Sequence, residues 1–135
     1  MILVTDTGIP FIAIVDDDES VCRALKRLVR SLGMDGDTFS SGQAFIDTLQ
    51  AMPRLRIDCV VLDVQMPDLN GLEVQAKLAR SGITIPVIFI TAHDEIGLRE
   101  KALGAGALAF LRKPFHDELL IKTLREALKL GTAAD

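Results

Sequence analysis

The chain has 135 residues, of which 49% are hydrophobic and 25% are charged, and its formal net charge at pH 7 is −4. This length and balance predict a single soluble globular domain, and the negative charge argues against nucleic-acid binding by this domain. No apolar run approaches the roughly 20 residues of a membrane span, and residues 1–10 lack the pattern of a signal peptide. We therefore expect a cytoplasmic protein that makes no membrane contact.

The first part of the chain predicts a strand, a helix and a weak second strand. The apolar run at 11–15 is typical of a buried strand, and acidic residues at 16–19 interrupt it. A helix begins at Ser20 and ends at Gly33, a residue that favours helix C-termini. The apolar face of this helix comprises Val21, Leu25, Leu28 and Leu32. Residues 34–39 form a strand whose acids and glycine favour the edge of a sheet.

A short helix and the most apolar strand follow. Ser40 and Ser41 predict a helix N-cap, and Pro53 ends the segment. The helix carries the apolar residues Phe45, Ile46 and Leu49. Residues 57–64 form a continuous apolar run, which indicates a strand buried on both faces, with one carboxylate, Asp63, near its end. A buried carboxylate needs partners, because its desolvation is costly.

The second half of the chain continues the alternation. We predict a helix from Leu72 to about Gly82, a strand at 85–91, a helix at 95–103, a strand at 107–111 and a helix at 116–130. Gly97 weakens the fourth helix, and Gly104 and Gly106 stop it. The apolar face of the last helix comprises Leu119, Leu120, Leu124, Ala127 and Leu128.

This alternation, with short connections and no internal repeat, predicts right-handed βαβ units and a parallel sheet covered on both faces. We place one domain at 10–130, between a disordered lead at 1–9 and a tail or truncated linker at 131–135. Cys22 and Cys59 fall on a helix and on a buried strand, without CxxC spacing. We interpret them as reduced packing residues.

Polar residues stand at the exits of four predicted strands: Asp16 and Asp17, Asp63, Thr91, and Lys113. Because the carboxyl ends of parallel strands share one edge of a sheet, we expect these side chains to converge. Clustered carboxylates repel each other, and Mg²⁺, a hard cation that prefers oxygen ligands, relieves that repulsion. A lysine and a threonine hydroxyl can bind a phosphoryl group beside it, and an aspartate can carry that group as an aspartyl phosphate.

Four motifs occur in order: VDDDES at 15–20, LDVQMPDLNG at 62–71, FITA at 89–92 and FLRKPF at 110–115. Through them the chain resembles the receiver domain of bacterial two-component response regulators, and most closely the nitrogen-fixation and nodulation type, over roughly residues 10–130. The resemblance implies a flavodoxin-like, doubly wound five-stranded parallel sheet with strand order 2-1-3-4-5. It also implies Mg²⁺-dependent phosphotransfer from a histidine kinase, with no enzymatic activity beyond self-catalysed phosphoryl transfer and hydrolysis.

The same resemblance implies residue roles. Asp63 would be the phosphoacceptor; Asp17 and Asp63 would bind the metal through their side chains, Gln65 through its backbone carbonyl, and Asp16 through a metal-bound water. The phosphoryl group would contact Thr91.

Further roles concern the last motif and the loop after Asp63. Lys113 would also contact the phosphoryl group, with Lys113-Pro114 as a cis peptide, and Phe110 would be the switch aromatic. Asn70-Gly71 suits a turn that needs positive φ. We expect a phosphorylation-dependent homodimer through the fourth helix and fifth strand, by way of Leu98, Arg99, Lys101 and Arg112.

Other functions and simpler interpretations stay open. A haloacid-dehalogenase-type phosphatase needs a second aspartate where the chain has Gln65, and a nucleotide-binding flavodoxin relative needs glycines where it has acids at 16–18. A degenerate receiver used only for docking would not need the acid pair. Among single residues, Asp16, Asp17 and Asp63 could be a helix cap and solvated charges, and Phe110 a plain core aromatic. Asp18 and Glu19 suit a helix start, His93 a solvated loop or the path of water to the phosphoryl group, and His116 a structural role.

Overall fold

The computed structural model describes residues 8–93 and 95–133, with side chains to residue 129. Five strands alternate with five helices. The strands are β1 (Phe11–Val15), β2 (Asp35–Phe39), β3 (Cys59–Asp63), β4 (Val87–Thr91) and β5 (Ala109–Arg112). The helices are α1 (Glu19–Ser31), α2 (Gly42–Ala51), α3 (Gly71–Arg80), α4 (Leu98–Gly104) and α5 (Asp117–Ala133).

The strands form one parallel sheet in the order β2-β1-β3-β4-β5, which confirms the predicted fold class. β3 and β4 are buried along their whole length, as continuous apolar runs predict. The polar strand β2 lies at the sheet edge, where its acids reach solvent. The carboxyl ends of β1, β3 and β4 therefore lie side by side at one edge of the sheet.

Two apolar layers cover the sheet, because successive side chains of a strand point to opposite faces. Ala13 and Val15 face a cluster formed with α2, α3 and α4. Ile12 and Ile14 face a second cluster formed with α1 and α5. This double cover leaves the ends of the strands as the places where polar groups can meet.

The helix starts follow local capping signals. Asp18 is the N-cap of α1 and accepts hydrogen bonds from the amides of Ser20 and Val21, so the interpretation of Asp18 as a helix-start acid is confirmed. Ser41 caps α2 through the amide of Ala44, also as predicted. α1 ends at Ser31, and Gly33 follows with φ +79°, which a glycine adopts at little cost.

Several predicted boundaries differ from the structure. α4 begins at Leu98 and not at Glu95, because Gly97 adopts a left-handed conformation (φ +85°) immediately before it. β3 is shorter than predicted and begins at Cys59; Asp58 lies before it and accepts a hydrogen bond from the amide of Phe11. β4 also starts two residues later than predicted, and β5 spans 109–112.

The last helix differs in length and in one face residue. α5 starts at Asp117 and continues to Ala133, three residues beyond the predicted end. Leu119 was predicted on the apolar face, yet it is 46% exposed, whereas its neighbour Leu120 in the same turn is buried in the second cluster. Residues 1–7 of the predicted lead and 134–135 of the predicted tail lie outside the described residues, whereas residues 131–133 of the tail continue α5.

The burial of the two cysteines and the lack of a membrane-spanning length in the described helices agree with the sequence predictions. Cys22 and Cys59 are both buried and free, as predicted for packing residues. Burial raises the pKa of the Cys59 thiol to about 12, which keeps it protonated. Within the part of the chain that the structure describes, no helix is both long enough and apolar enough to span a bilayer.

Candidate functional site

Three carboxylates converge where β1 and β3 end. Asp16 and Asp17 follow β1, and Asp63 is the last residue of β3, its neighbour in the sheet. One oxygen from each of the three lies within 4.8 Å of the others. Asp16 and Asp63 are buried, with 1% and 3% of their surface exposed, whereas Asp17 faces solvent. The sequence prediction that these acids meet is thus matched by their positions.

Lys113 supplies the counter-charge from the end of β5, the edge strand opposite β2. Its Nζ lies 2.7 Å from Asp16 Oδ2 and 3.7 Å from Asp63 Oδ1. The backbone places it there, because the Lys113 amide donates to the carbonyl of Thr91 at 2.7 Å just after β5. The Lys113-Pro114 peptide is cis, as the resemblance implied. One ammonium therefore serves two buried carboxylates, and the cluster keeps a net negative charge.

The electrostatics of the cluster act most strongly on Asp63. Its burial, and then the nearby charge of Asp16, raise the pKa of the Asp63 carboxyl to about 7, against the opposing effect of Lys113. The ionised form of Asp63 is therefore less stable in this site than in water. A divalent cation at the three oxygens would reverse that balance.

The ligand atoms of this carboxylate cluster suit Mg²⁺. All three groups are carboxylates, which are hard oxygen ligands, and the exposed side of Asp17 leaves room for the waters that Mg²⁺ retains. No Cys or His shares the group of side chains that could hold an ion among the described residues. Such a donor set favours Mg²⁺ over Zn²⁺.

The Asp63 carboxylate is oriented by the loop that follows it. Its Oδ1 accepts a hydrogen bond from the Gln65 amide at 3.4 Å, so Gln65 lies beside the cluster through its backbone. The Asp16 carboxylate is held in a similar way, since its Oδ1 accepts from the Asp18 amide at 2.9 Å. Both acids are thus fixed by main-chain donors two residues further along the chain.

The prediction for Asn70-Gly71 was wrong. Neither residue has positive φ; in this loop it is Asp68 that does, at +66°. Asn70 is instead the N-cap of α3, in a reciprocal capping box with Glu73. Gly71 is required for space: a Cβ there would lie 2.4 Å from the Asp63 carbonyl oxygen. The start of α3 is therefore packed directly against the backbone of the predicted phosphoacceptor.

Thr91 ends β4, next to Asp63 in the sheet order, and is fully buried. Its Oγ1 accepts a hydrogen bond from the His93 amide at 3.1 Å. Accepting this bond leaves the hydroxyl proton able to donate to a group placed at the sheet edge. His93 thus contacts Thr91 through its main chain, and its side chain is exposed.

Phe110 lies on β5, in register with Phe89 of β4, and packs into the cluster on the α2–α4 face. It is buried, so the simple core interpretation describes its position in this structure. Its carbonyl accepts a hydrogen bond from Arg99 Nη1 of α4 at 3.4 Å, which joins α4 to β5. Leu98, predicted on an exposed dimer surface, is buried in the same cluster, and that prediction was wrong.

One contact at the site was missed by sequence reasoning. The Cys22 thiol of α1 donates to the Asp16 carbonyl at 3.2 Å and holds the loop after β1. The sequence placed Cys22 on a helix as a packing residue but carried no signal for this bond.

His116 was predicted to have a structural role. Its carbonyl accepts a hydrogen bond from the Leu119 amide at the start of α5.

Comparisons with known proteins agree with this geometry. Residues 12–125 match the response regulator receiver domain. The chain is 48% identical to response regulator protein TmoT of Ectopseudomonas mendocina over 89% of this chain and 53% of that protein. It is 43% identical to nodulation protein W of Bradyrhizobium diazoefficiens, over 80% of this chain and 46% of that protein. The chain spans about half the length of these curated relatives.

A solved structure gives the same result. The crystal structure of a response regulator receiver protein from Burkholderia phymatum shares 58% sequence identity and a TM-score of 0.80, over 89% of this chain and 95% of that one. Together with the order of strands and the motif positions, the match over most of the chain decides the family. The chain belongs to the response regulator receiver domain family and is a module of two-component signal transduction.

Proposed function

We propose that Asp63 accepts a phosphoryl group from a histidine kinase in a reaction that depends on Mg²⁺. The observation that carries this proposal is the convergence of Asp16, Asp17 and Asp63 at one sheet edge, with Lys113 Nζ within 4 Å of two of them. Asp17 and Asp63 would bind the metal directly, with the Gln65 carbonyl, and Asp16 would act through a metal-bound water. The metal would neutralise charge on the phosphoryl oxygens.

The chemistry of the protein's own groups is a displacement at phosphorus. An Asp63 carboxylate oxygen attacks the phosphorus of a phosphohistidine, the P–N bond breaks, and the imidazole nitrogen keeps the electron pair. Lys113 lies close enough to Asp63 to contact the new phosphoryl oxygens, and the Thr91 hydroxyl can donate to another. Attack by water on the same phosphorus would break its bond to the Asp63 oxygen, release inorganic phosphate and leave Asp63 as a carboxylate again.

Phosphorylation at Asp63 can be tested with acetyl phosphate and Mg²⁺. Intact mass spectrometry should show one added phosphate on the parent protein and none on Asp63→Asn. Asp68→Asn, which changes an exposed acid of the same loop, is the matched control and should gain the phosphate. Hydroxylamine-labile phosphate on Asp63→Asn would refute the assignment.

Metal binding gives a separate test of the acid pair. Calorimetric titration with Mg²⁺ should show weak binding by the parent, because the protein offers few direct ligands, and none by Asp17→Ala. Asp18→Asn is the control: Asn is also a good N-cap, and the Asp18 side chain bonds only to α1 amides and the Ser20 hydroxyl in the described contacts. Equal binding by Asp17→Ala and the parent would place the metal elsewhere.

We further propose that phosphorylation drives homodimerisation through the α4–β5 surface. The exposed charges Arg99, Lys101 and Arg112 lie on this surface, and the exposed Leu103 supplies the apolar contact that buried Leu98 cannot. The signal would pass from Thr91 to Phe110, because β4 and β5 pair in register and Arg99 bonds to the Phe110 carbonyl.

A population shift from 1:99 to 99:1 needs roughly 5.5 kcal/mol. A charged hydrogen bond from Thr91 supplies about 1.5–3 kcal/mol, and Phe110, which is already buried, can add little further burial. The partner copy must therefore contribute to the switch.

Analytical ultracentrifugation with beryllofluoride and Mg²⁺ tests this proposal. The parent should shift from monomer to dimer, and Thr91→Ala and Phe110→Ala should not. A parent that remains monomeric when activated refutes the dimer. Variants that dimerise as readily as the parent refute the route through Thr91 and Phe110.

A further inference from the structure

A surface hollow between α2 and α3 combines apolar walls with two cations. Its volume is about 310 Å³, at the lower end of the range for small-molecule sites, which is roughly 300–1,000 Å³. Its apolar lining residues are Ile46, Leu49, Pro53, Leu78 and Ile83. Lys77 and Arg80 line it from the last turn of α3.

The two cations give this hollow a positive charge, although the chain as a whole carries −4. No acidic residue lines the hollow, and neither Lys77 nor Arg80 has an ion pair among the described residues. Lys77 is half-buried and Arg80 is exposed, so their charged ends are accessible to a bound molecule. Two full charges exceed the roughly half negative charge that each helix C-terminus presents. A net positive charge therefore remains for an anion.

A second hollow of about 380 Å³ adjoins the first, because Leu49, Pro53 and Ile83 line both. We call the two hollows together the α2–α3 groove. Its second half adds the accessible apolar side chains of Met52, Leu55 and Ile85. The charged lining residue there, Arg56, is already paired with Asp58 at 3.1 Å. The groove is thus polarised, with unpaired positive charge in one half and apolar surface in the other.

The α2–α3 groove lies at the edge of the sheet opposite to Asp63. Because each helix returns the chain to the start of the next parallel strand, the last turns of α2 and α3 lie where the strands begin. Ile57, just before β3, and Ile85, just before β4, line the groove. Neither Asp63 nor Lys113 lines it. The groove is therefore separate from the phosphoryl site.

We propose that the α2–α3 groove binds a small amphipathic carboxylate. The carboxylate lies beside Lys77 and Arg80, and the apolar tail passes Ile83 into the second hollow. Charge complementarity selects an anion, since a cation would be repelled and a neutral molecule would cover Lys77 without giving it a counter-charge. The tail removes the accessible surface of Met52 and Leu55 from water, which a small hydrophilic anion cannot do.

Three probes separate the contributions of charge and tail. Octanoate has both, 1-octanol has the tail without the charge, and butyrate has the charge with a short tail. Amide NMR spectra of the ¹⁵N-labelled protein are recorded during titration with each, with octanoate kept below its critical micelle concentration. We expect saturable shifts at the lining residues with octanoate. Octanoate should bind about fivefold more tightly than 1-octanol and about tenfold more tightly than butyrate, and high salt should reduce its advantage over 1-octanol.

Variants at accessible positions keep the test decisive. Lys77→Gln combined with Arg80→Gln should bind octanoate no better than 1-octanol, whereas Arg30→Gln, which removes an exposed cation from the last turn of α1, should keep the preference. Ile83→Thr should weaken octanoate and 1-octanol alike, because it removes apolar surface shared by both hollows. Asp63→Asn should bind octanoate as the parent does.

Three results would overturn the proposal. The first is the absence of saturable octanoate shifts at the lining residues; if an amphipathic peptide of Leu and Glu shifts them instead, the groove is a docking face for a protein. The second is equal affinity of the parent for octanoate and 1-octanol. The third is an unchanged preference for octanoate in the variant that lacks both cations.

Discussion

Replacing Asp63 by Asn should stabilise the metal-free protein, and the gain should grow with pH. Burial and Asp16 raise the pKa of the folded Asp63 carboxyl to about 7, from the ordinary pKa of 3.8 that we assign to the unfolded chain. A raised carboxyl pKa means that the unfolded state releases its proton first. The protonated Asp63 carboxyl therefore stabilises the folded protein relative to the ionised form. This contribution is fully present below about pH 3.8 and is lost as pH rises to about 7.

The size of this effect follows from the shift. The difference between about 7 and 3.8 is about 3 pH units, and each unit corresponds to 1.36 kcal/mol, so the full linkage is on the order of 4 kcal/mol. Asp63→Asn has no such titration, and Lys113 keeps its bond of 2.7 Å to Asp16 in that variant. The free energy of unfolding of the variant minus that of the parent should thus rise between pH 4 and pH 8.

Urea unfolding in EDTA, followed by far-UV circular dichroism, measures this difference at each pH. Circular dichroism is the suitable signal because the chain contains no Trp and no Tyr. Subtracting the parent curve removes titrations common to both proteins. Asp68→Asn serves as the control, since it removes an exposed carboxylate from the same loop and should show a much smaller change with pH. A difference for Asp63→Asn that is flat, or that shrinks as pH rises, would refute the reasoning.

The remaining predictions concern three other positions. Asp17→Ala removes an exposed charge that repels Asp63, so in EDTA it should raise the free energy of unfolding by about 0.5 kcal/mol and with it the melting temperature. A lower melting temperature would show that Asp17 is structurally bonded. Gly71→Ala should cost about 1–3 kcal/mol and slow phosphorylation, because its Cβ would lie 2.4 Å from the Asp63 carbonyl oxygen, whereas Gly104→Ala, with open space around it, should be neutral or stabilising in the same urea titration. Gln75→Leu should stabilise the fold by about 1–3 kcal/mol in that titration, because the buried Gln75 Oε1 has no hydrogen-bond partner among the described residues, and a destabilised variant would mean that Oε1 is satisfied in solution.

Local sequence patterns were enough to predict a parallel sheet covered on both faces and acids converging at one edge, whereas the strand order was implied only by the resemblance to receiver domains. Apolar runs and helical spacing depend on neighbouring residues only, and so do the caps at Asp18 and Ser41. Once the strands were known to be parallel, their exits had to share an edge, which brought Asp16 and Asp63 together before any coordinates were known. β2 was correctly predicted at the sheet edge for a different reason, since its acids and glycine suit a strand that reaches solvent.

The tertiary structure decided what depends on distances between remote segments. Gly71 looked like a turn residue, but its role is set by the Asp63 carbonyl lying where a Cβ would be. Leu98 is buried and Leu119 is exposed, the reverse of their predicted environments, because the elements packed against a helix decide which part of its surface is covered.

The tertiary structure also decided the pKa of Asp63 and the unpaired state of Gln75 Oε1. The pKa of Asp63 depends on its depth and on Asp16 and Lys113, 47 and 50 positions away in the chain. The unpaired Oε1 of Gln75 could not be foreseen, because a polar residue on a helix is normally solvated, and only the packed structure buries this one. Residue types and their order fix which groups reach the edge of the sheet, and three-dimensional packing fixes which of them lose water and which find partners.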